Sequence, residues 1–289
     1  YDASRPTSTF VLPAAGANYK ALSEFSGVAA DAGGAGVKAV YVAVQNTADT
    51  LKQWWNWNTN SFSLGDPPPW PVDGTPPGPA WVLVATTSLQ GPASFSIPWS
   101  TPVPAAMLGS SNTYRVTAGV WDWATNKSQS PTGLGHGPEF RYDTQPPVIA
   151  STFPVSGLAY NAAGLSALAG IAYDNATGNS GVASVDVMLK NDILNSYWTG
   201  SGSSFEAPPG GFDNWVPVSA VAVGTGVAWS RPWPTLNDNT RYVLWRRVSD
   251  AAVNVSTHPA TPADNGRLNA NQYVDGSPAI TFTYDNSLP

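Results

Sequence analysis

Apolar and polar residues alternate along short runs of this chain. In the run VKAVYVAVQN (37–46), apolar side chains occupy every second position from Val40 to Val44. The run VASVDVMLKN (182–191) has apolar residues at the same places, whereas Tyr41 on the other face is replaced by Asp186. A period of two with one variable face predicts a half-buried antiparallel β-strand in both places.

These runs belong to an internal repeat. The phrase Tyr-Asp-x-x-x-Pro starts at Tyr1, Tyr142 and Tyr284, which are 141 and 142 residues apart. Such a period should be interpreted before any single motif. Six blocks recur in order: STF (8–10 and 151–153), SGVAAD and AGIAYD (26–31 and 169–174), GVKAVYVAVQN and GVASVDVMLKN (36–46 and 181–191), WVLVATTSLQGPASFSIPW and WVPVSAVAVGTGVAWSRPW (81–99 and 215–233), YRVTAGVWDWATNKS and YVLWRRVSDAAVNVS (114–128 and 242–256), and FRYD and FTYD (140–143 and 282–285).

The blocks align without gaps, and length differences fall between them. Strands resist insertion because a one-residue slip turns every side chain to the other face, whereas loops tolerate it. We therefore predict about seven strands per repeat, arranged as a β-sandwich, in two repeats, 1–143 and 144–285. Residues 286–289 would begin the seam to a further repeat of a longer parent protein. Long loop insertions are expected at 47–80, which is rich in Trp and Pro, and at 257–278.

Composition favours the same fold class and excludes several functions. The chain of 289 residues is 42% hydrophobic, contains 27 Gly and 27 Pro, and has 16 Asp against 3 Glu, which disfavours long helices. The net charge of −6 leaves no basic surface for nucleic acid. The absence of Cys removes disulfides and thiol chemistry. The sequence contains no run of 18 apolar residues, so it predicts no membrane-spanning helix.

The blocks SGVAAD, GVKAVYVAV, YRVTAGVWDWATN and FRYDTQPP resemble the bacterial immunoglobulin-like repeats of large secreted and cell-surface proteins. The resemblance covers nearly the whole chain. The usual Ala-Gly-Asn phrase reads Ala124-Thr125-Asn126 in one repeat and Ala252-Val253-Asn254 in the other. The resemblance implies an all-β fold of two tandem immunoglobulin-like antiparallel sandwiches, a place in stalks, adhesin shafts or filaments, and no catalytic residues.

The repeated Tyr-Asp phrase is interpreted as the seam between sandwiches. The Phe-x-Tyr residues would end the last strand, Asp would turn the chain, and Pro would stop the ladder because it has no N–H to donate. The predicted seam residues are Tyr1, Asp2, Pro6, Tyr142, Asp143, Pro146, Pro147, Tyr284, Asp285 and Pro289.

Recurring Asp residues allow two interpretations. Each carboxylate could cap a turn by accepting backbone N–H groups. Alternatively, several could supply oxygen ligands for calcium, the only cofactor that the sequence suggests. The calcium candidates are Asp31, Asp122, Asp143, Asp174, Asp250 and Asp285.

The 13 Trp residues separate into packing and candidate binding groups. The ungapped block makes Trp81 correspond to Trp215 and Trp99 to Trp233, and we expect both pairs to be core residues; Trp57 is matched to Trp198. The insertion QWWNWNTNSFSLGDPPPW could expose rings that stack on sugars or contact a subunit, or it could fold back on its own sandwich. Its candidate residues are Trp54, Trp55, Trp57 and Trp70.

Catalysis is not predicted. His136 and His258 lie in non-equivalent loops, and the three Glu residues form no visible acid pair. The favoured function is a structural, extracellular repeat module whose partners are neighbouring copies or repeats. The alternative is a carbohydrate-binding module with surface glycans as partners. In one structural variant, units would exchange AITFTYD (279–285) and STFVLP (8–13) as donated strands.

Overall fold

A computed structural model describes residues 1–65, 78–88, 95–128, 137–174, 179–202, 204–207, 215–218, 226–256 and 279–287. The chain divides into two compact units, Tyr1–Thr144 and Gln145–Pro289. In the described ranges, no helix is long and apolar enough to cross a membrane.

The first unit is built from β-strands in two sheets. The strands are β1 Thr7–Leu12, β2 Asn18–Tyr19, β3 Glu24–Ala30, β4 Val37–Asn46, β5 Trp54–Asn56, β6 Ser61–Leu64, β7 Val82–Thr86, β8 Ser96–Pro102, β9 Asn112–Asp122 and β10 Glu139–Tyr142. One sheet has the order β1-β3-β8, and the other, with seven strands, has the order β2-β10-β9-β4-β5-β6 with β7 also paired to β4.

The second unit repeats this arrangement strand for strand. Its strands are β11 Val148–Phe153, β12 Ala159–Tyr160, β13 Leu168–Tyr173, β14 Val182–Asn191, β15 Ser196–Trp198, β16 Phe205–Glu206, β17 Val216–Pro217, β18 Gly226–Arg231, β19 Thr240–Asp250 and β20 Ile280–Tyr284. The sheets have the orders β11-β13-β18 and β12-β20-β19-β14-β15-β16, with β17 paired to β14.

In the first unit, strands β1, β3 and β8 form one sheet, and β4, β9 and β10 lie side by side in the other. This is the strand order of an immunoglobulin-like sandwich. The predicted all-β fold of two tandem immunoglobulin-like sandwiches is therefore confirmed. The described residues contain ten strands per unit rather than about seven, because pieces such as Asn18–Tyr19 are too short to show an alternating pattern.

Each sandwich encloses its own core. Val40, Val42 and Val44 are fully buried, as the alternating pattern of β4 predicts. They pack with residues from both sheets, including Phe25, Trp99, Tyr114 and Phe140. The equivalent residues of the second unit form a matching cluster with Trp229, Tyr242 and Phe282.

A buried tyrosine near the start of β9 and β19 closes the core at one end of each unit. The Tyr114 hydroxyl accepts a hydrogen bond from Gly109 N at 2.8 Å, and the Tyr242 hydroxyl accepts one from Asn237 N at 2.7 Å. Burial raises the pKa of both phenols, although these hydrogen bonds oppose the shift. In both units the hydroxyl bonds to the backbone N–H of the residue five positions earlier. This contact is the tyrosine corner typical of immunoglobulin-like sandwiches.

A glycine in the three-stranded sheet of each unit accommodates a tryptophan ring. Gly27 pairs with Trp99, and Gly170 pairs with Trp229. A Cβ atom on Gly170 would lie 2.1 Å from Ala150 O and 2.4 Å from Trp229 Cζ2. The ring therefore packs directly on the backbone.

This register corrects one sequence match. Trp99 corresponds to Trp229 and not to Trp233, because both Trp99 and Trp229 lie opposite the equivalent glycines. The match holds at β7 and β17, where Val82 and Val216 pair with equivalent residues of β4 and β14. The ungapped alignment was therefore wrong toward its end. The two blocks have the same length, but the strands β8 and β18 within them do not align residue for residue.

The expected insertion at 47–80 is partly ordinary sheet. Strands β5 and β6 extend the seven-stranded sheet, and β15 and β16 do the same in the second unit. Trp54 pairs with Gln45, and Tyr197 pairs with the equivalent Lys190, so Trp55 is the counterpart of Trp198. The match of Trp57 to Trp198 was therefore wrong. The insertion at 257–278 lies outside the described residues.

The terminal strands complete their own sandwiches. Strand β1 pairs with β3, and β20 pairs with β19 and β12. Ile280 and Phe282 of β20 are buried in the core of the second unit. In this conformation each proposed donor strand occupies its own unit, and strand exchange between units stays a prediction.

We expect Gly170→Ala to lower the free energy of unfolding of the second unit by roughly 1–3 kcal/mol, because the added methyl overlaps the Ala150 carbonyl and the Trp229 ring. The matched control is Gly226→Ala on the neighbouring strand, where the nearest atom would be 3.9 Å away. Urea denaturation followed by Trp fluorescence measures both variants. Equal midpoints for the two would contradict the close contact.

Candidate functional site

Two of the predicted seam tyrosines lie where the last strand of each unit ends. Strands β10 and β20 end at Tyr142 and Tyr284, whose rings are half-buried against their cores. Of the other predicted seam residues, Tyr1 is exposed, Asp2 is half-buried, Pro6, Asp143 and Pro147 are buried, Pro146 is exposed, Asp285 is half-buried, and Pro289 lies outside the described residues.

Asp31 organises the loop between β3 and β4. Its Oδ1 accepts a hydrogen bond from Gly33 N at 3.1 Å, and its Oδ2 accepts one from Gly36 N at 2.7 Å. Gly34 and Gly36 have φ angles of 100° and 82°, which glycine adopts without strain. One buried carboxylate thus fixes a six-residue loop.

Asp122 organises the turn after β9. Its Oδ1 accepts a hydrogen bond from Asn126 N at 2.7 Å, and its Oδ2 accepts one from Asn126 Nδ2 at 2.8 Å. Thr125 has a φ of 68°, a conformation that costs free energy in a β-branched residue. The turn therefore tolerates local strain where the usual phrase of such repeats has glycine.

Asp2 joins these two loops to the start of the chain. Its Oδ2 accepts a hydrogen bond from Ala35 N at 3.0 Å, and its backbone carbonyl accepts one from Asn126 Nδ2 at 3.1 Å. Ligand oxygens of Asp2, Asp31 and Asp122 all lie within 4.8 Å of one another. We call these three residues the aspartate cluster.

The second unit has counterparts of Asp31 and Asp122. Asp174 Oδ2 accepts a hydrogen bond from Gly181 N, and Asp250 binds Asn254 N and Nδ2, each at 2.8 Å. Asp174 and Asp250 offer ligand oxygens within 4.8 Å of each other. Val253, like Thr125, has a positive φ, of 66°.

Two calcium candidates, Asp143 and Asp285, remain to be placed. Asp143 is buried, and its Oδ1 accepts a hydrogen bond from Ser110 Oγ at 3.3 Å. Asp285 Oδ1 accepts a hydrogen bond from Ser287 N at 2.9 Å, and Asp285 belongs to none of the acidic groups found in the described residues. Sequence reasoning assigned Asp2 to the seam and missed it as a cluster member, although its equivalence to Asp143 was a usable signal.

Electrostatics distinguishes Asp122 from an ordinary surface carboxylate. Burial raises the pKa of Asp122, and repulsion from Asp31 and Asp2 raises it further, whereas the hydrogen bonds from Asn126 oppose the shift. Hydrogen bonds from Asn126 thus partly offset the cost of burying the Asp122 carboxylate.

Asp31 and Asp122 of the aspartate cluster cap turns by accepting backbone N–H groups, which is the first of the two interpretations of the recurring Asp residues. A carboxylate oxygen that accepts one N–H keeps further acceptor capacity, so the same oxygens could also hold a calcium ion. Calcium binding stays a prediction, and Asp2, Asp31 and Asp122 form one acidic group among the described residues that could provide ligands.

None of the three described tryptophans of the proposed binding loop is fully exposed. Trp54 is 5% exposed and Trp55 is 1% exposed, and each packs in a hydrophobic cluster of its own unit. Trp57 is half-buried, and its Nε1 donates to Ala80 O at 3.2 Å. Trp70 lies outside the described residues. Trp54 and Trp55 therefore offer no ring face to a sugar, which corrects that part of the prediction.

Neither a family model nor a curated protein matches this sequence. Among solved structures, fibronectin(III)-like modules of Clostridium thermocellum CbhA align over 98% of this chain and 97% of that chain, with a TM-score of 0.37 and 12% identity.

Two further solved structures are similar at a lower level. The chicken CNTN1 FN1-FN3 domains align over 82% of this chain and 61% of that chain, with a TM-score of 0.27 and 10% identity. The calcium binding domain CBD12 of CALX1.1 aligns over 96% and 99%, with a TM-score of 0.25 and 7% identity. Because these likenesses are weak, the fold assignment depends on the strand order and the tyrosine corner.

We expect wild-type stability to rise relative to Asp122→Asn as the pH falls from about 7 to about 4. The folded-state pKa of Asp122 lies above its unfolded value, so the folded protein binds this proton more tightly. The resulting stabilisation is fully present below the unfolded pKa and is lost as pH rises through the folded pKa. Melting temperatures of both proteins across this range measure the effect; parallel curves would contradict it.

Calcium binding would raise the melting temperature of the first unit. A ligand at roughly 100 times its Kd stabilises a folded protein by about 2.7 kcal/mol. Calcium titration of chelator-treated protein, followed by thermal unfolding, provides the measurement. Asp31→Asn should remove the response, and Asp285→Asn, outside the acidic groups, should retain it. An unchanged melting temperature in wild type would refute calcium binding.

Proposed function

We propose that this chain is a non-catalytic structural module of an extracellular repeat array, forming part of a stalk, an adhesin shaft or a filament on a bacterial surface. One observation carries the proposal: the two units repeat the same internal framework. Strand order, tyrosine corner, glycine–tryptophan contact and Asp–Asn turn all recur.

A repeated framework is what an array needs. In tandem repeats, stability is approximately a sum over units and their nearest neighbours, so each unit must fold reliably and loop details can vary. Neighbouring repeats or copies of the same protein are the partners that this proposal implies. The low charged fraction of 11% is compatible with an exposed coat.

The carbohydrate-binding alternative has less support. It required a platform of exposed rings, and Trp54 and Trp55 are buried. A ligand platform shared by both units would also need equivalent exposed groups. Of its candidate residues, Trp57 is half-buried and already uses its indole N–H to bond the backbone.

Negative-stain electron microscopy of the native material from its source tests the proposal. We expect rods or fibres with an axial repeat of a few nanometres per sandwich, because tandem units add length. Compact particles with only two lobes would overturn the structural array and favour a discrete binding module. The purified 289-residue chain, imaged alongside, is the size control.

A further inference from the structure

The three-stranded sheet of the second unit has an outward surface made of uncharged residues. Strands β11, β13 and β18 contain six residues each, and alternate residues of each strand point away from the core. The central outward residues are Val148, Ala150, Ile171, Tyr173, Gly226 and Ala228. We call these six residues the apolar face. The neighbouring exposed residues Thr152 and Ser230 are also uncharged.

The apolar face has a central ridge with small residues beside it. In the strand register, Ile171 lies between Ala150 and Ala228, and Tyr173 lies opposite Gly226. The two ridge residues, Ile171 and Tyr173, are 48% and 43% exposed. A Cβ atom on Gly226 would have Tyr173 Cβ, at 3.9 Å, as its nearest neighbour. The space beside the ridge is therefore open.

The other sheet of the same unit carries charged residues on its outward side. There, Arg247 Nε donates to Asp186 Oδ2 at 2.9 Å, and Lys190 Nζ lies 3.3 Å from Asp192 Oδ1. An antiparallel sheet with one face in water usually has polar residues on that face, and the seven-stranded sheet follows this rule. The three-stranded sheet departs from it. Exposed apolar patches of this kind mark contact surfaces.

The chemistry of the apolar face decides which partner fits it. Charged residues of a partner would lose their hydration against a surface that offers no opposite charge. A partner sheet packs about 10 Å away, with large side chains placed over small ones. After a two-fold rotation, the ridge of a second copy can lie over the open space beside the first ridge. The apolar face is therefore complementary to itself.

The first unit lacks the ridge. Its equivalent central residues are Val28 and Ala30, which are smaller and half-buried. Val28 is flanked by Thr9 and Pro98. A contact that depends on the ridge therefore places the second unit of one copy against the second unit of another.

We propose that two copies of this chain associate side by side through the apolar faces of their second units. This inference rests on the proposed function and deepens it, because it assigns a surface to the contact between neighbouring copies. Three strands about 4.8 Å apart, with a rise of about 3.4 Å per residue, cover roughly 300 Å². A stable interface buries about 800 Å² per partner. One pair of faces is therefore a weak contact, and an array of repeats with this face would add many such contacts.

Cross-linking of single-Cys variants of the full chain tests the proposal, because the natural sequence contains no Cys. Ala228→Cys places a thiol beside the ridge. The matched control, Ala163→Cys, places one at an exposed position of the same unit outside the apolar face. We expect a short bifunctional maleimide to give several-fold more covalent dimer with Ala228→Cys. Equal yields from the two variants would overturn the proposal.

A charge on the ridge tests the same contact from its other side. In the Ala228→Cys chain, Ile171→Lys should lower the dimer yield to that of Ala163→Cys. The control Leu194→Lys changes a residue that is 63% exposed in the turn between β14 and β15, and it should leave the yield unchanged. Thermal unfolding checks that both chains fold. A yield that folded Ile171→Lys does not lower would count against the ridge.

Salt separates an apolar contact from one made by charges. Raising the salt concentration from about 0.1 M to about 1 M shortens the screening length from about 10 Å to about 3 Å. We expect the Ala228→Cys dimer yield to stay constant or rise, because no ion pair joins the two faces. Loss of the dimer at high salt would reject the apolar contact in favour of a charged one.

The two proposals fail separately. Cross-linked dimers together with compact native particles would retain the face contact and reject the array. Single native rods, together with equal cross-linking of the two Cys variants, would retain the array and reject the face contact.

Discussion

The hydrogen bonds that buried carboxylates accept from backbone N–H groups determine how each sandwich is connected. Asp31 and Asp122 are almost fully buried, and each holds a loop that joins strands of the core. A buried charge is tolerated only when such bonds replace its hydration. Asp2 adds the start of the chain to the same cluster. The loops, the first segment and the sheets of the first unit therefore depend on one another.

Much of the fold could be predicted from the sequence because the two repeats show the same pattern of strands twice. Apolar positions such as Val40 and Val185 recur at equal places, and both are fully buried in the structure. Periodicity of two identifies a strand only when one face is apolar, as in β4 and β14. The last strands also end at the repeated tyrosines, Tyr142 and Tyr284.

The errors arose where similar residues fall in a different register or environment. Trp233 matched Trp99 by letter, but the glycine opposite the ring identifies Trp229, and pairing across strands is not visible in one run of sequence. Trp54 and Trp55 stand in a polar segment, yet the edge hairpin turns them into apolar clusters. Asp2 was missed because its partners lie far along the chain.

The contact between Asn126 and Asp2, which are 124 residues apart in the chain, has a consequence for biosynthesis. A unit synthesised from its N-terminus cannot join its first segment to this turn until nearly all of it has emerged. Its last strand, β10, arrives later still. Domains in a growing chain fold as units. An array of such sandwiches would therefore mature one unit at a time, and only the most recently synthesised unit would have a sheet edge still waiting for its last strand.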